Sequence, residues 1–305
     1  MSINFEGQVA IVTGAGNGLG RSHALALAER GAKVVVNDLG GARDGSGASS
    51  AAADEVVALI KANGGDAFAH GANVANFDEV EDMVKQTMDK WGRVDVLINN
   101  AGILRDKTFA KMDLADFKLV MDVHVMGSVN CTKAVWGIMR EQNYGRIVMT
   151  TSSSGLYGNF GQSNYGAAKM AVIGFMNTLC IEGLKNDIRV NALSPTAATR
   201  MTEDLMPAEI LAMLTPEAVT AGALTLCHKD APNRFILAAG AGGYARAQIF
   251  ETDGIFLPEA EQDTDIINSK LDQITDTAGQ KDLQSGAGQT EKFLGKAMAY
   301  VESQK

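Results

Sequence analysis

The chain has 305 residues, of which 46% are hydrophobic, and carries a formal net charge of −9 with a pI near 5.0. That is enough apolar material for one large core, and an acidic balance with no basic run argues against a nucleic-acid surface. No apolar run approaches membrane length, so no membrane partner is expected.

The first element is the apolar run Gln8 to Thr13, rich in β-branched residues and read as a strand. Gly14-Ala15-Gly16-Asn17-Gly18-Leu19-Gly20 follows, and a helical pattern runs from Arg21 to Arg30. Strand, glycine loop and helix in that order make a dinucleotide site: glycines admit the pyrophosphate to the backbone, and the helix N-terminus favours its charge. A second strand, Lys33 to Asn37, ends in Asp38, eighteen residues after Gly20. A carboxylate there accepts hydrogen bonds from the adenosine ribose and repels a 2′-phosphate, which predicts NAD rather than NADP. Asn17 agrees, since no cation stands inside the loop; Arg43 argues the other way, because a nearby arginine is able to compensate. The stretch Gly40 to Ser50 is rich in glycine and serine. It reads either as a loop that folds over the adenosine or an adjacent CoA group, or as a tolerated surface loop.

Strand and helix patterns alternate as far as residue 257, predicting an α/β fold: a single Rossmann-type, doubly wound parallel sheet with helices on both faces. Tyr165 and Lys169 stand four apart and so share one helix face, with Ser152 thirteen residues before the tyrosine. An ammonium beside a phenol favours the phenolate, which can take a proton from an alcohol or return one to a ketone, while Ser152 holds the same oxygen. Between 200 and 219 lie Met201, Leu205, Met206, Ile210, Leu211, Met213 and Leu214, broken into short helices by Pro207 and Pro216. Beyond Pro258 the character changes. Ile267, Leu271 and Ile274 predict one amphipathic helix, and Phe293, Leu294, Ala297, Met298 and Val301 another, joined by the polar stretch Gln284 to Gln289. The expected division is 1–258 for the catalytic domain and 259–305 for a helical C-terminal extension.

Cys131, Cys180 and Cys227 sit in apolar helical stretches and read as reduced, buried thiols. The four histidines show no ligand spacing, so no metal is expected. The segment Met1 to Glu6 lacks a signal-peptide pattern and Ser303-Gln304-Lys305 is not the peroxisomal tripeptide, so a cytoplasmic location is expected.

Thr13 through Gly20, Asn99-Asn100-Ala101-Gly102, Ser152 and Tyr165-Gly166-Ala167-Ala168-Lys169 together resemble the short-chain dehydrogenase/reductase family, whose members interconvert alcohols and carbonyls with a nicotinamide cofactor. Within it the chain is similar to the (3R)-hydroxyacyl-CoA dehydrogenase part of type 2 peroxisomal multifunctional enzymes, relatives of 17β-hydroxysteroid dehydrogenases. The residues that carry this are Val36 to Gly41, Asn100 to Asp106, Tyr144 to Ile147 and Tyr157 to Gln162, and the likeness fades after about residue 257. The resemblance implies Tyr165 as general acid/base, Lys169 as the group that lowers its pKa and binds the nicotinamide ribose, and Ser152 as the group that orients the substrate oxygen. It also implies that Asn100, Ala101 and Gly102 line the adenosine side, Asn73 and Val74 lie against the adenine, and Pro195 to Arg200, including Ala197, Ala198 and Thr199, passes the nicotinamide. A lid over the substrate is implied at about 196–225. His124 stands where many members have an asparagine that anchors a water near the lysine; a neutral imidazole can hold the same water, or can be a buried histidine with a structural hydrogen bond. Homodimers or homotetramers formed through the helix bearing Tyr165 are implied as well. The expectation is a free-standing NAD-dependent dehydrogenase of a (3R)-hydroxyacyl-CoA. A hydroxysteroid or other hydrophobic alcohol is the alternative substrate, and a non-catalytic NAD-binding sensor the alternative class.

Overall fold

The computed structural model describes residues 3–197 and 207–305. Met201, Leu205 and Met206 of the expected lid, and Ala198, Thr199 and Arg200 of the expected nicotinamide segment, lie outside the described residues. Two compact units are present, 1–246 and 247–305, so the chain divides twelve residues before the expected boundary at 258.

The first unit is the expected α/β fold. In chain order it runs β1 (Val9–Thr13), α1 (Gly18–Glu29), β2 (Lys33–Asn37), α2 (Ala51–Ala62), β3 (Ala67–His70), α3 (Phe77–Trp91) and β4 (Val96–Asn99). It continues through α4 (Leu114–Met121), a π-helical turn Asp122–Met126, α5 (Gly127–Gln142), β5 (Gly145–Thr150), α6 (Ser153–Tyr157), α7 (Ser163–Glu182) and β6 (Ile188–Thr196). Then come α8 (Ala208–Leu211), α9 (Pro216–Cys227), β7 (Ile236–Gly240) and β8 (Gly243–Ala247). The sheet order is β3-β2-β1-β4-β5-β6-β7-β8, and the strands from β3 to β7 pair in parallel. β7 and β8 are joined by Ala241 and Gly242, both at positive φ (49° and 76°), the conformation of a tight hairpin turn, so this last pair is antiparallel.

Strands sandwiched between helices must be apolar on both faces, and β1 and β5 are buried along their whole lengths. On one side α1, α2 and α9 close a core of Ala10, Val12, Val34, Val36, Ile98 and Leu193; α5 and α7 pack on the sheet with α3 and α4 beside them. The order of connection reverses between β1 and β4. Ligands of open α/β sheets bind at such a point, beyond the strand ends.

The 19-residue stretch Glu209–Cys227 is apolar enough by length and composition to cross a membrane, which corrects the reading that no run approaches that length. It is interrupted between α8 and α9, and α9 buries Val219, Ala223, Leu226 and Cys227 in the core. Within residues 216–225 of the expected lid, Val219, Thr220, Gly222, Ala223 and Leu224 are buried, whereas Ile210 and Met213 are exposed. All three cysteines are free and buried, and burial pushes their thiols up to about 12, 11 and 12 for Cys131, Cys180 and Cys227. Among the described residues no group of three or more His, Cys, Asp or Glu side chains comes together as a metal site.

The second unit holds α10 (Thr264–Ser269), α11 (Leu271–Ile274) and α12 (Gly286–Ser303). The one helix expected around Ile267 to Ile274 is two short ones, and α12 starts inside the stretch expected as a linker, because Ser285 caps it through the Gly288 amide.

Candidate active site

The site begins where β1 ends. Thr13 Oγ1 accepts the amides of Asn100 and Ala101, each at 3.0 Å, and Asn100 Nδ2 donates to the carbonyls of Thr13 (2.9 Å) and Gly14 (3.1 Å). These bonds fasten the end of β4 to the glycine loop at the point where strand order reverses. Gly14 has φ +63°, and a Cβ there would lie 2.9 Å from Ala101 Cα; a Cβ on Gly20 would collide with the Gly14 carbonyl. Side chains are thus excluded by contact, as well as by backbone conformation. Asn17 precedes α1 in extended conformation without capping it, so the first amides of α1, from Gly18 and Leu19 onward, receive no side-chain cap from it. Such amides are an anion site.

Asp38 stands at the end of β2 and does more than the sequence indicated. Its Oδ2 accepts the Gly16 amide at 2.7 Å and its Oδ1 the Gly40 amide at 2.6 Å, so the carboxylate shapes the glycine loop and the start of the insertion together. Val74 is buried and its carbonyl accepts from Asn130 Nδ2 at 2.9 Å. The Asn73 side-chain oxygen accepts the Ala75 amide at 3.0 Å in a local turn. Ala197 is buried just beyond β6.

The reacting side chains gather at the end of β5. Ser152 caps α6 through the Ser154 amide at 3.2 Å, and it works to lower the pKa of the Tyr165 phenol. Tyr165 lies in the first turn of α7, and one turn on Lys169 Nζ donates to the Thr150 carbonyl at 2.7 Å, 5.4 Å from the Tyr165 ring centre. Thr151 Oγ1 donates to the Lys169 carbonyl at 2.6 Å, and a Cβ on Gly155 would sit 2.7 Å from Lys169 Cβ, so α6 and α7 are in close contact. Ser152, Tyr165 and Lys169 are thus brought together at the end of β5.

Its protonation differs from the expectation. Burial pushes the Tyr165 phenol up to about 12, with the Ser152 hydrogen bond working against this and the Asp106 carboxylate adding to it. Burial also brings Lys169 down to about 7. The sequence predicted a phenol drawn down by a full ammonium; in the protein by itself desolvation disfavours the charged form of each group.

His124 is buried on the π-helical turn, its ring edge-on to Tyr165 with centres 5.2 Å apart. Nε2 lies 3.0 Å from the Ile103 amide and 2.8 Å from the Ile103 carbonyl, while Nδ1 is buried without a protein partner. Burial, then the Lys169 charge, hold it well below its ordinary pKa, so it is neutral. Gly102 is required beside it, since a Cβ there would collide with the imidazole. Sequence reasoning missed Thr13, Asn164, Gln162, Arg105 and Asp106 as members of this neighbourhood. The available signal was position: Asn164 directly precedes Tyr165, and Arg105-Asp106 follow the Asn100 segment closely.

The chain belongs to the short chain dehydrogenase family, whose pattern matches residues 8–209; it is an oxidoreductase of a family that binds NAD(P). A short-chain type dehydrogenase/reductase of Mycobacterium tuberculosis is 48% identical over 90% of this chain and 96% of its own length. Peroxisomal multifunctional enzyme A of Dictyostelium discoideum is 49% identical over 85% of this chain, a match that spans 58% of that enzyme. Among solved structures, the full-length peroxisomal multifunctional enzyme type 2 of Drosophila melanogaster aligns with a TM-score of 0.80 and 36% identity, covering 99% of this chain and 51% of that one. A 7α-hydroxysteroid dehydrogenase complexed with NADH and 7-oxo glycochenodeoxycholic acid aligns with a TM-score of 0.70 and 30% identity over 79% of this chain and 95% of that one.

Proposed function

We propose that the protein is an NAD-dependent dehydrogenase that interconverts a secondary alcohol and a ketone, and that its substrate is a (3R)-hydroxyacyl-CoA, giving the 3-ketoacyl-CoA. The observation that carries the chemistry is the Ser152–Tyr165–Lys169 group at the end of β5, next to the glycine cradle. The similarity to the peroxisomal multifunctional enzymes supports the acyl-CoA.

Gly14 to Gly20 would hold the pyrophosphate of NAD and Asp38 its adenosine ribose, and the bound cofactor would supply the hydride acceptor and, when oxidised, a positive charge. Ser152 orients the alcohol oxygen and Tyr165 takes its proton. Lys169 is one turn away, with three donors to divide between the Thr150 carbonyl and the nicotinamide ribose. A phenol near 12 and a lysine near 7 are the pair as both charges are disfavoured; positive charge brought beside Tyr165 favours its phenolate. Two fixed contacts to the oxygen leave one hydrogen facing the cofactor, so one enantiomer is favoured. We place the enzyme in the cytoplasm as a homodimer or homotetramer.

The test is a screen, followed by the absorbance of reduced nicotinamide, of NAD and NADP against (3R)- and (3S)-hydroxyacyl-CoA, steroid and simple alcohol panels. Efficient turnover of the (3R) thioester with NAD is expected. Far better turnover of steroids than of every acyl-CoA would move the substrate to the second reading, which the likeness to the bile-acid enzyme favours.

A further inference from the structure

Tyr165 is held by more than its own helix. Asn164, immediately before it, is fully buried. Its Nδ2 donates to the Arg105 carbonyl at 3.0 Å and its Oδ1 accepts the Tyr165 amide at 2.7 Å. Amides in the first turn of a helix lack intrahelical partners, so a side chain that satisfies one is common; here the same side chain also reaches a separate segment.

That segment reaches further. Arg105 Nε donates to the Asp44 carbonyl, inside the insertion, at 2.7 Å, and the guanidinium pairs with Asp116 of α4 at 3.2 Å. Leu104 donates its amide to the Arg43 carbonyl at 3.1 Å. The insertion is closed on itself by Ala42 to Ser46 (2.7 Å) and Ser49 to Leu39 (3.0 Å), and it starts from the Gly40 amide that Asp38 holds. A parallel path leads to the serine: Gln162 Nε2 donates to Asp106 at 2.7 Å, Gln162 Oε1 accepts from the Ser154 hydroxyl at 2.7 Å, and the Ser154 amide donates to Ser152 Oγ. The surroundings of both reacting side chains and the insertion after Asp38 therefore meet in the four residues Ile103 to Asp106.

We propose that Asn164 and Arg105 are positioning residues for Tyr165, and that through them the Gly40–Ser50 insertion is part of the active-site scaffold. An arginine suits this place because its planar fork binds a carbonyl and a carboxylate at once, which a lysine does less well. A tolerated surface loop has no need of a half-buried arginine bound to its backbone. The inference rests on Tyr165 being the proton-transfer group.

The experiment compares Asn164→Ala, Arg105→Met and Arg105→Lys with the wild type in the full-length protein, measuring NADH affinity by fluorescence titration and kcat and KM for the alcohol. A misplacement of about 1 Å can cost on the order of 10²-fold in rate. We expect kcat to fall at least roughly tenfold in Asn164→Ala and Arg105→Met, with NADH affinity and KM changing far less, and Arg105→Lys to recover part of the loss. Should Asn164→Ala fail to fold, Arg105→Met still decides, since that side chain is only part-buried. Wild-type kcat in Arg105→Met, or losses confined to NADH affinity, would overturn the proposal. Tyr165→Phe in the same assay separates the two levels: if it is inactive while both positioning variants turn over normally, only the positioning claim falls, and if it retains kcat the role of Tyr165 falls with it.

Discussion

At the scale of single residues, Asp38 shapes the glycine loop, and we propose that the same carboxylate sets the cofactor choice. It holds the Gly16 and Gly40 amides, so Asp38→Ala would lose both contacts along with the charge, whereas Asp38→Asn keeps one acceptor oxygen, giving up one of the two amide contacts together with the charge. A unit charge about 4 Å from a 2′-phosphate is worth roughly 1–4 kcal/mol at a protein surface. Asp38→Asn is thus expected to move the ratio of catalytic efficiencies with NADP and NAD about tenfold or more toward NADP. An unchanged ratio, measured with both cofactors, would give the choice to another group. The sequence made Asp38, the glycines and the Ser152, Tyr165 and Lys169 set legible because their spacing carries the chemistry. It could not show the Asn164 to Arg105 contact, which joins residues 59 apart, nor that burial raises the Tyr165 phenol.

Elements were legible in proportion to their regularity. β2 falls on Lys33–Asn37 as the run of valines predicts, and α9 starts at Pro216, a residue suited to a first helical position. The C-terminal unit was less legible, because its packing is polar. No residue of α10, α11 or α12 is buried. Lys292 instead binds Glu251 and the Thr252 carbonyl, and Lys296 binds Asp253 at 2.6 Å and the Gly254 carbonyl at 3.0 Å. Partly exposed ion pairs are screened as the Debye length shrinks from about 10 Å toward 3 Å between 0.1 and 1 M salt. Hydrogen exchange of α12 amides should therefore quicken with salt, and the double variant Lys292→Met, Lys296→Met should exchange faster at low salt and lose most of that salt dependence. Equal protection in both proteins at both salts would show that the lysine pairs do not hold α12.

For the whole molecule, stability carries a pH signature from histidines buried in neutral form. His23 is enclosed between α1 and α9, with Nδ1 2.8 Å from Thr220 Oγ1, which donates to Ser22 at 2.8 Å. Burial lowers its pKa from 6.5 to about 4. Below about 6.5 the unfolded chain takes up a proton that the folded protein refuses until about 4, so folding stability falls as pH drops through that window, by about 1.36 kcal/mol per unit for each such group. His124 adds in the same direction. His23→Asn, which keeps a polar contact to Thr220, is expected to lower stability at pH 7 yet flatten the decline between pH 6.5 and 4 by close to one proton, read from denaturant unfolding across that range. An unchanged slope would mean that His23 titrates normally. The fold class was legible from alternating strand and helix patterns, whereas the strand order, the terminal hairpin and the division at 246 depend on contacts remote in sequence.

Tyr165→Phe tests most directly whether Tyr165 moves the proton, because it removes one oxygen and leaves the ring. NADH should bind the variant with affinity close to that of the wild type, while the rate of alcohol oxidation falls by on the order of 10²–10⁴-fold, the usual contribution of acid–base assistance. Near-normal turnover in Tyr165→Phe would contradict the account.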